Sequence, residues 1–402
     1  VLLMFPALMA RMGHISLMSH WILLFALALY VRGNQRMQLP TLGWSLLLVP
    51  AFYINVYLFV MGCGIFTAAL FDLNRRVSIK DIRSFITPFI LLLVSAYALL
   101  LPLPAFEVTR EWGFGYYSMN LLSPVTGGKF LDWGSAKAPG QYEGFNYLGL
   151  GVLIAMPLAY FLRSRIRGHA LRRHLGLIAL CVIFTIYALS NQIYVSGQQI
   201  LTIAYPSLLD GLTAQFRASG RFFWPVGYCL TIFTLLVLFR SLHQKKFWLV
   251  MSGLVILQVA DLNDRYNVLR ATARSVQAAQ PLDPIVWDAY VGDNVKVLYF
   301  YPKFKCGKDS NATLLPVMQY AAERRLKLNT GYIARYTPDC EDTRHEIAGS
   351  NPENSAYVFV RRDYPAIDHV KTLFPAKASV YCSAVQFAYI CLISEEGWLN
   401  GK

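Results

Sequence analysis

The side chains best suited to chemistry lie in one long polar stretch, residues 104–146. Its carboxylates are candidates for a general base, since a carboxylate beside a sugar hydroxyl can accept its proton. Glu143 is the strongest candidate because it lies just before the apolar run that starts at Tyr147, while Glu111 and Asp132 are weaker alternatives. The alternative hypothesis is that Glu143 only caps or solvates the start of the next helix.

Aromatic, amide and basic side chains fill the rest of this stretch. Aromatic faces beside amide groups suit sugar rings, which present apolar C–H faces and hydroxyl rims. An interfacial aromatic belt with glycine turns would explain the same composition. The candidate substrate-binding residues here are Arg110, Trp112, Tyr116, Tyr117, Asn120 and Asn146.

A second polar segment ends in Arg217, Arg221 and Trp224, just before another apolar run. Two arginines in this position could hold a lipid phosphate through bidentate hydrogen bonds. The simpler alternative is a plain interfacial anchor.

Sequence motifs for nucleotides and metals are missing. No GxGxxG follows a strand in the C-terminal part and no P-loop occurs, so the sequence predicts no nucleotide cofactor. No CxxC spacing occurs either, so it predicts no zinc site, although a divalent cation bound without such a motif stays open.

Long apolar runs must position these residues. Hydrophobic residues make up 55% of the 402-residue chain and charged residues only 15%, which is typical of a membrane protein. A bilayer-crossing helix needs about 20 mostly apolar residues. The pattern predicts an α-helical polytopic domain of about seven or eight transmembrane helices over residues 1–262, followed by a small extracytoplasmic α/β domain over 263–402. The candidate spans are Ile15–Val31, Leu42–Phe71 (one span, or a hairpin broken near Pro50 and Asn55), Phe85–Pro102, Tyr147–Leu162, Leu175–Val195, Phe222–Phe239 and Phe247–Leu262.

The net charge of +14 comes mostly from short basic loops between the apolar runs. The positive-inside rule explains this excess better than nucleic-acid binding does, and it places these loops in the cytoplasm. Residues 104–146, residues 196–221 and the C-terminal domain would then lie outside. The basic loops contain Arg75, Arg76, Lys80 and Arg83; Arg163, Arg165, Arg167, Arg172 and Arg173; and Arg240, Lys245 and Lys246.

The C-terminal domain has a mixed α/β pattern. A short polar helix over Asp264–Gln280 precedes it. The expected elements are strands at Lys296–Tyr301 and Ala356–Val360, a helix at Ala312–Leu326, and a closing hairpin of Ser379–Val385 with Phe387–Ser394.

Four of the seven cysteines lie in this domain, and an even number outside the cytoplasm predicts disulfides. The favoured pairs are Cys306 with Cys340 and Cys382 with Cys391. The other two pairings, and free thiols in a reducing compartment, stay open.

Four motifs carry a family resemblance through their order along the chain. Together they resemble a family of bacterial multi-span membrane proteins of unknown function, which is itself similar to the GT-C glycosyltransferases. The resemblance covers most of the chain. The motifs are Gly13–Trp21, Gly115–Leu122, Gln141–Gly149 and Ala218–Pro225.

The resemblance implies many spans, a soluble outer domain, a polyprenyl-phosphate sugar donor and no nucleotide. GT-C enzymes usually carry their catalytic acid in the first outer loop. The chain begins at Val1 within an apolar stretch and does not show that loop. We therefore expect an N-terminal portion to precede Val1; the principal base could then lie upstream, and Glu143 is the best candidate base within the given sequence.

These expectations combine into one hypothesis. The protein would be an inverting glycosyltransferase of the bacterial inner membrane that moves a sugar from a polyprenyl-phosphate donor to a cell-surface glycan acceptor in the periplasm. Its partners would be the bilayer, the lipid-linked sugar and the acceptor, with no nucleic acid. The alternative is a non-enzymatic transporter or flippase of a lipid-linked glycan, although transporters usually carry ionisable residues within their spans. A third possibility is a scaffold subunit whose outer domain binds a partner.

Overall fold

A computed structural model describes residues 5–73, 77–101, 112–132, 140–162, 172–274, 282–308, 310–333, 338–376 and 378–394. The chain forms two compact units, an amino-terminal unit that ends at Arg274 and a carboxy-terminal unit that follows it.

The amino-terminal unit is mostly helical. Asn55 separates two of its helices because it is extended (φ −163°) and its side chain accepts a hydrogen bond from the Tyr57 amide. The helices are α1 (Pro6–Met9), α2 (Trp21–Arg36), α3 (Thr41–Ile54), α4 (Val56–Phe71), α5 (Ile79–Leu100), α6 (Leu150–Leu162), α7 (Leu175–Leu189), α8 (Asp210–Gln215), α9 (Phe223–Ser241), α10 (Gln244–Asp261) and α11 (Asn263–Arg274).

The helix lengths do not support seven or eight spans. In the described part of the chain, Ile79–Leu100 and Ser219–Ser241 are long and apolar enough to cross a membrane. A third span results if α10 and α11, bent by 60°, count as one. The other apolar helices, α3, α4, α6 and α7, have only 13 to 16 residues, which is short of the roughly 20 that a bilayer core requires.

The predicted span Leu175–Val195 shows why fewer helices than predicted are long enough to cross a membrane. Helix α7 ends at Leu189 because Ser190 has a φ of 65°. The chain then forms a hairpin of β1 (Gln192–Val195) and β2 (Gln198–Thr202). Polar residues and the Ser196-Gly197 turn favour a hairpin over a continuing helix.

Aromatic side chains form much of the core of this unit. Trp44 and Phe66 stack with their ring centroids 4.4 Å apart, and Trp224 is fully buried. Helix α5 instead packs mainly on α3 and leaves much of its apolar surface exposed, including Leu93 and Tyr97.

Helix α7 connects two polar clusters. At its start, the Asp72 carboxylate accepts hydrogen bonds from the Gly176 and Leu177 amides, 2.6 and 2.9 Å away. At its end, the Ala188 carbonyl accepts a 2.7 Å hydrogen bond from the Met119 amide. A helix of this length spans about 22 Å. Asp72 and Met119 therefore contact opposite ends of α7.

The carboxy-terminal unit is an α/β fold around a five-stranded sheet of order β4-β3-β5-β7-β6. Strand β3 runs parallel to β4 and β5, and β7 runs antiparallel to β5 and β6. The elements are α12 (Pro284–Val291), β3 (Val297–Tyr301), α13 (Ser310–Glu323), β4 (Lys327–Leu328), α14 (Thr343–Ala348), β5 (Ser355–Val360), α15 (Ile367–Lys371), β6 (Ser379–Val385) and β7 (Ala388–Ser394).

The predicted strands, helix and closing hairpin match the observed elements within a few residues, whereas the two-residue β4 and the helices α12, α14 and α15 were not expected. Cys306 is bonded to Cys340 and Cys382 to Cys391, the pairing that the sequence favoured. Cys382 and Cys391 lie opposite each other on β6 and β7. Cys63, Cys181 and Cys229 are free.

Candidate functional site

Glu143 lies in a short 3-10 turn, Gln141–Gly144, that points two neighbouring side chains in opposite directions. Tyr142 is 60% exposed, whereas Glu143 is only 8% exposed. The turn begins after Gly140, whose φ of +82° is a left-handed conformation that favours glycine. The strongest carboxylate candidate therefore faces the interior of the unit.

Two arginines bind Glu143 through a single oxygen. Arg11 donates to Oε2 of Glu143 and to the carbonyl oxygen of Tyr142. Arg221 donates to the same Oε2 from Nε and Nη2, at 3.0 and 2.9 Å. We call Arg11, Glu143 and Arg221 the arginine–carboxylate triad. In the described part of the chain, the hydrogen bonds of the Glu143 side chain all end on Oε2, which leaves Oε1 outside this network.

The triad carries one net positive charge, because two guanidinium groups share one carboxylate. Its side chains are largely buried, with 3% of Arg11, 13% of Arg221 and 10% of Glu143 exposed. Burial lowers the pKa of the Arg11 guanidinium, and Glu143 acts in the opposite direction. An uncompensated buried charge is costly, so the arrangement favours an additional anion near Arg221, its most exposed cation.

Two glycines allow the triad to form. A Cβ on Gly144 would collide with the carbonyl oxygen of Ser118, and a Cβ on Gly220 would collide with the Cα of Gly144. Each glycine is the direct neighbour of a triad residue. Asn146 fixes the contact, since its Nδ2 donates to the carbonyl oxygens of Gly144 and Gly220 at 3.0 and 2.8 Å.

Four aromatic side chains lie next to the triad and form what we call the aromatic platform: Trp112 and Tyr142, which are exposed, and Tyr116 and Tyr117, which are half-buried. The ring centroids are 5.1 Å apart for Trp112 and Tyr116, 4.9 Å for Tyr116 and Tyr117, and 6.1 Å for Tyr117 and Tyr142. Trp112 is 68% exposed. Because Tyr142 directly precedes Glu143, the platform and the triad share one backbone segment.

Arg217 holds the edge of the platform. It donates to the carbonyl oxygen of Trp112 at 3.1 Å, and its guanidinium carbon lies 5.2 Å from the ring centroid of Tyr117. Desolvation raises the pKa of Tyr142, and nearby Tyr117 and Glu143 add to this effect. Tyr142 is therefore a neutral hydrogen-bond donor at physiological pH.

Three residues predicted to bind substrate lie in the interior. Trp224 is fully buried, with its ring centroid 4.4 Å from that of His20. Asn120 is also buried and donates to Gln141 Oε1 and Ser196 O, at 2.9 and 2.7 Å. Asn146 is buried as well. Their contacts position the turn and the start of α9.

The remaining candidates lie apart from the triad or outside the described residues. Asp132 is exposed and interacts electrostatically with Arg265 of α11. Arg110 and Glu111 fall in the range that the structure does not describe. The site that forms therefore combines Glu143 and Arg221 with the aromatic residues and Arg217.

Sequence reasoning did not find Arg11 or Tyr142. Arg11 is separated from Glu143 by 132 positions, so no local spacing connects them. The available signal was a lone arginine in an apolar N-terminal stretch, because a charged residue in such surroundings usually has a partner.

Within the described ranges, no group of three His, Cys, Asp or Glu side chains lies close enough together to hold a metal ion. The triad and the platform thus offer guanidinium groups, a carboxylate and aromatic faces as their chemistry.

Comparisons with known proteins identify a family but no characterised relative. The model of a family described as a domain of unknown function (DUF6311) matches residues 1–263. A model described as the DUF6311 C-terminal domain matches residues 286–393. No curated protein and no solved structure matches the chain.

Proposed function

The chain belongs to the family described as domain of unknown function DUF6311. We propose, from the geometry of its site, that it is a membrane glycosyltransferase. It moves a sugar from a polyprenyl-phosphate donor to a cell-surface glycan. The observation that carries the proposal is the position of the aromatic platform beside the arginine–carboxylate triad, on the segment that contains Tyr142 and Glu143.

The platform suits carbohydrate because aromatic rings offer flat apolar faces with polar edges. Exposed Trp112 and Tyr142 border it, and the Tyr142 hydroxyl adds a hydrogen-bond donor. A sugar ring can stack its C–H face on such a surface and direct its hydroxyl groups towards the polar neighbours.

The positive charge suits a phosphate. Guanidinium groups bind phosphate oxygens in a bidentate manner, and the triad has one more cation than anion. Arg221 is its most exposed cation, and Arg217 lies at the edge of the platform. Both arginines would stabilise the negative charge that develops on the leaving phosphate.

In the proposed reaction, an acceptor hydroxyl oxygen forms a bond to the anomeric carbon while the bond from that carbon to the phosphate oxygen breaks. Glu143 takes the hydroxyl proton on Oε1, the oxygen outside the triad hydrogen bonds. The electron pair of the broken bond leaves on the polyprenyl phosphate. This single displacement inverts the anomeric configuration.

The proposal also implies where the protein works in the cell. The site faces the periplasm from the bacterial inner membrane, and the disulfide-bonded carboxy-terminal unit lies on the same side. Two disulfides are compatible with an oxidising compartment. The lipid-linked donor enters the proposal because the family that the four motifs resemble is itself similar to GT-C enzymes.

Purified protein in lipid nanodiscs provides the test. Supplied with a labelled polyprenyl-phosphate sugar and a cell-envelope acceptor, it should transfer the label, and Glu143→Gln should abolish transfer while it remains folded. Full transfer by Glu143→Gln would remove this residue from the role of base. Translocation of the lipid-linked sugar without transfer would contradict the enzymatic proposal and favour a flippase.

A further inference from the structure

We infer that Arg221 exchanges Glu143 for the donor phosphate, so that donor binding frees the carboxylate to act as a base. This inference rests on the proposed function and adds a regulation of the same site. It assigns different roles to the two arginines: Arg11 is a fixed positioning residue, and Arg221 is the exchangeable one.

The contacts of the two arginines differ in a way that supports this assignment. Arg11 is 3% exposed and is held at two points, the Glu143 carboxylate and the Tyr142 carbonyl oxygen. Arg221 is 13% exposed, and both of its hydrogen bonds to the triad end on one carboxylate oxygen. Its guanidinium carbon also lies 4.7 Å from the ring centroid of Tyr57, a contact that tolerates a change of anion. Fewer stabilising contacts are therefore lost when Arg221 leaves the carboxylate than when Arg11 does.

Competition between anions follows from the hydrogen-bond geometry. Nε and Nη2 of Arg221 form the planar fork that binds either a carboxylate or a phosphate. In the structure, Glu143 engages this fork. A phosphate must therefore displace Glu143 to gain the same two hydrogen bonds.

The exchange couples donor binding to proton transfer. When Arg221 turns to the phosphate, Glu143 keeps only Arg11, and the side of its carboxylate that Arg221 occupied is open to the acceptor hydroxyl. The acceptor hydroxyl would be deprotonated only after the donor has bound, which limits unproductive reaction with water.

Binding of a sugar-free probe tests the exchange without requiring transfer. The probe is a short-chain polyprenyl methyl phosphate, a diester whose single charge does not titrate near neutral pH, added to the full chain in nanodiscs. Glu143→Gln removes the competing carboxylate and should bind the probe about tenfold more tightly, the equivalent of one charge-assisted hydrogen bond. Asp210→Asn, which removes an exposed carboxylate from α8, should leave the affinity unchanged.

The unmodified protein gives a second measurement that does not depend on the folding of a variant. Binding of the diester to the unmodified protein should change the infrared carboxylate band of a glutamate, because Glu143 loses the two hydrogen bonds from Arg221. A folded Glu143→Gln with unchanged or weaker binding, or a diester-bound unmodified protein whose carboxylate bands do not change, would overturn the exchange while leaving the proposed function intact. If neither protein binds the diester, the proposed function itself fails.

Discussion

Nε and Nη2 of Arg221 lie 3.0 and 2.9 Å from the same oxygen of Glu143, although 78 positions separate the two residues. Each residue has a glycine as its direct neighbour, Gly220 before Arg221 and Gly144 after Glu143, and these glycines pack against each other. The ion pair therefore depends on a close backbone contact as much as on charge.

The backbone contact can be tested with alanine. Gly220→Ala should lower the free energy of unfolding by about 2 kcal/mol or more, because its Cβ meets the Gly144 Cα and the backbone must move. It should also weaken binding of the diester probe. Thermal unfolding in nanodiscs measures the first effect. Gly211→Ala is the matched control, since nothing lies within 4 Å of its new Cβ; equal stability of the two variants would show that the contact is not required.

The positioning role of Arg11 predicts a loss of stability. Arg11→Gln should lower the free energy of unfolding by about 2 kcal/mol, because it removes the hydrogen bonds of Arg11 to the Glu143 carboxylate and the Tyr142 carbonyl oxygen, while Arg221 still pairs with Glu143. The stability of Arg11→Lys should lie between that of the unmodified protein and that of Arg11→Gln, because an ammonium group keeps the charge but cannot reproduce the guanidinium fork. Arg172→Gln, at an exposed position, should change stability by about 0.5 kcal/mol or less. The interpretation is wrong if Arg11→Gln behaves like Arg172→Gln.

The platform should bind the sugar and not the phosphate. Trp112→Ala should weaken binding of the sugar-bearing donor by about tenfold, the effect of losing about 1.4 kcal/mol of aromatic contact. Binding of the sugar-free diester should stay nearly unchanged. Trp248→Ala is the control, because Trp248 is similarly exposed (60%) but lies at the start of α10. Equal losses for both ligands in Trp112→Ala would argue against a sugar platform.

The disulfide pairing is open to direct chemical test. Alkylation without reduction, followed by peptide mapping, should find Cys306 linked to Cys340 and Cys382 linked to Cys391. Cys63, Cys181 and Cys229 should be recovered as thiols from the unfolded protein. A Cys340–Cys382 link would contradict the pairing in the structure, and four free thiols in the carboxy-terminal unit would contradict both the pairing and the extracytoplasmic location.

Local patterns predicted the carboxy-terminal unit well. Runs of β-branched and aromatic residues such as Ser355–Val360 form strands because such side chains pack well in a sheet. Cys382 and Cys391 lie on either side of a short turn, so a hairpin places them opposite each other. Strand β4 was missed because its two residues, Lys327 and Leu328, carry almost no pattern.

The described helices do not support the predicted span count, because apolar composition alone does not fix helix length. Two helices end earlier than predicted, each at a single residue. Helix α3 ends before Asn55, which is extended and caps α4, and α7 ends before Ser190, which has a positive φ. Polar residues at Tyr53–Asn55 had indicated the first break. The second depends on the pairing of β1 with β2, which a hydropathy pattern does not show.

The site was only partly predictable for a related reason. Glu143, Arg221 and the aromatic residues could be identified from their types and their positions beside apolar runs. Arg11 could not, because its role depends on a contact across 132 positions. Nor could Trp224 and Asn146 be placed in the interior, since their burial is decided by packing between distant segments.

Photocrosslinking tests most directly whether the platform and the triad form one site for a lipid-linked sugar. A polyprenyl-phosphate sugar with a photoreactive group near the phosphate, activated in nanodiscs that contain the full chain, should label the peptides that carry Tyr142 and Arg221. Excess unlabelled donor should suppress this labelling. Labelling confined to the exposed apolar surface of α5, or labelling that excess donor does not reduce, would contradict the account.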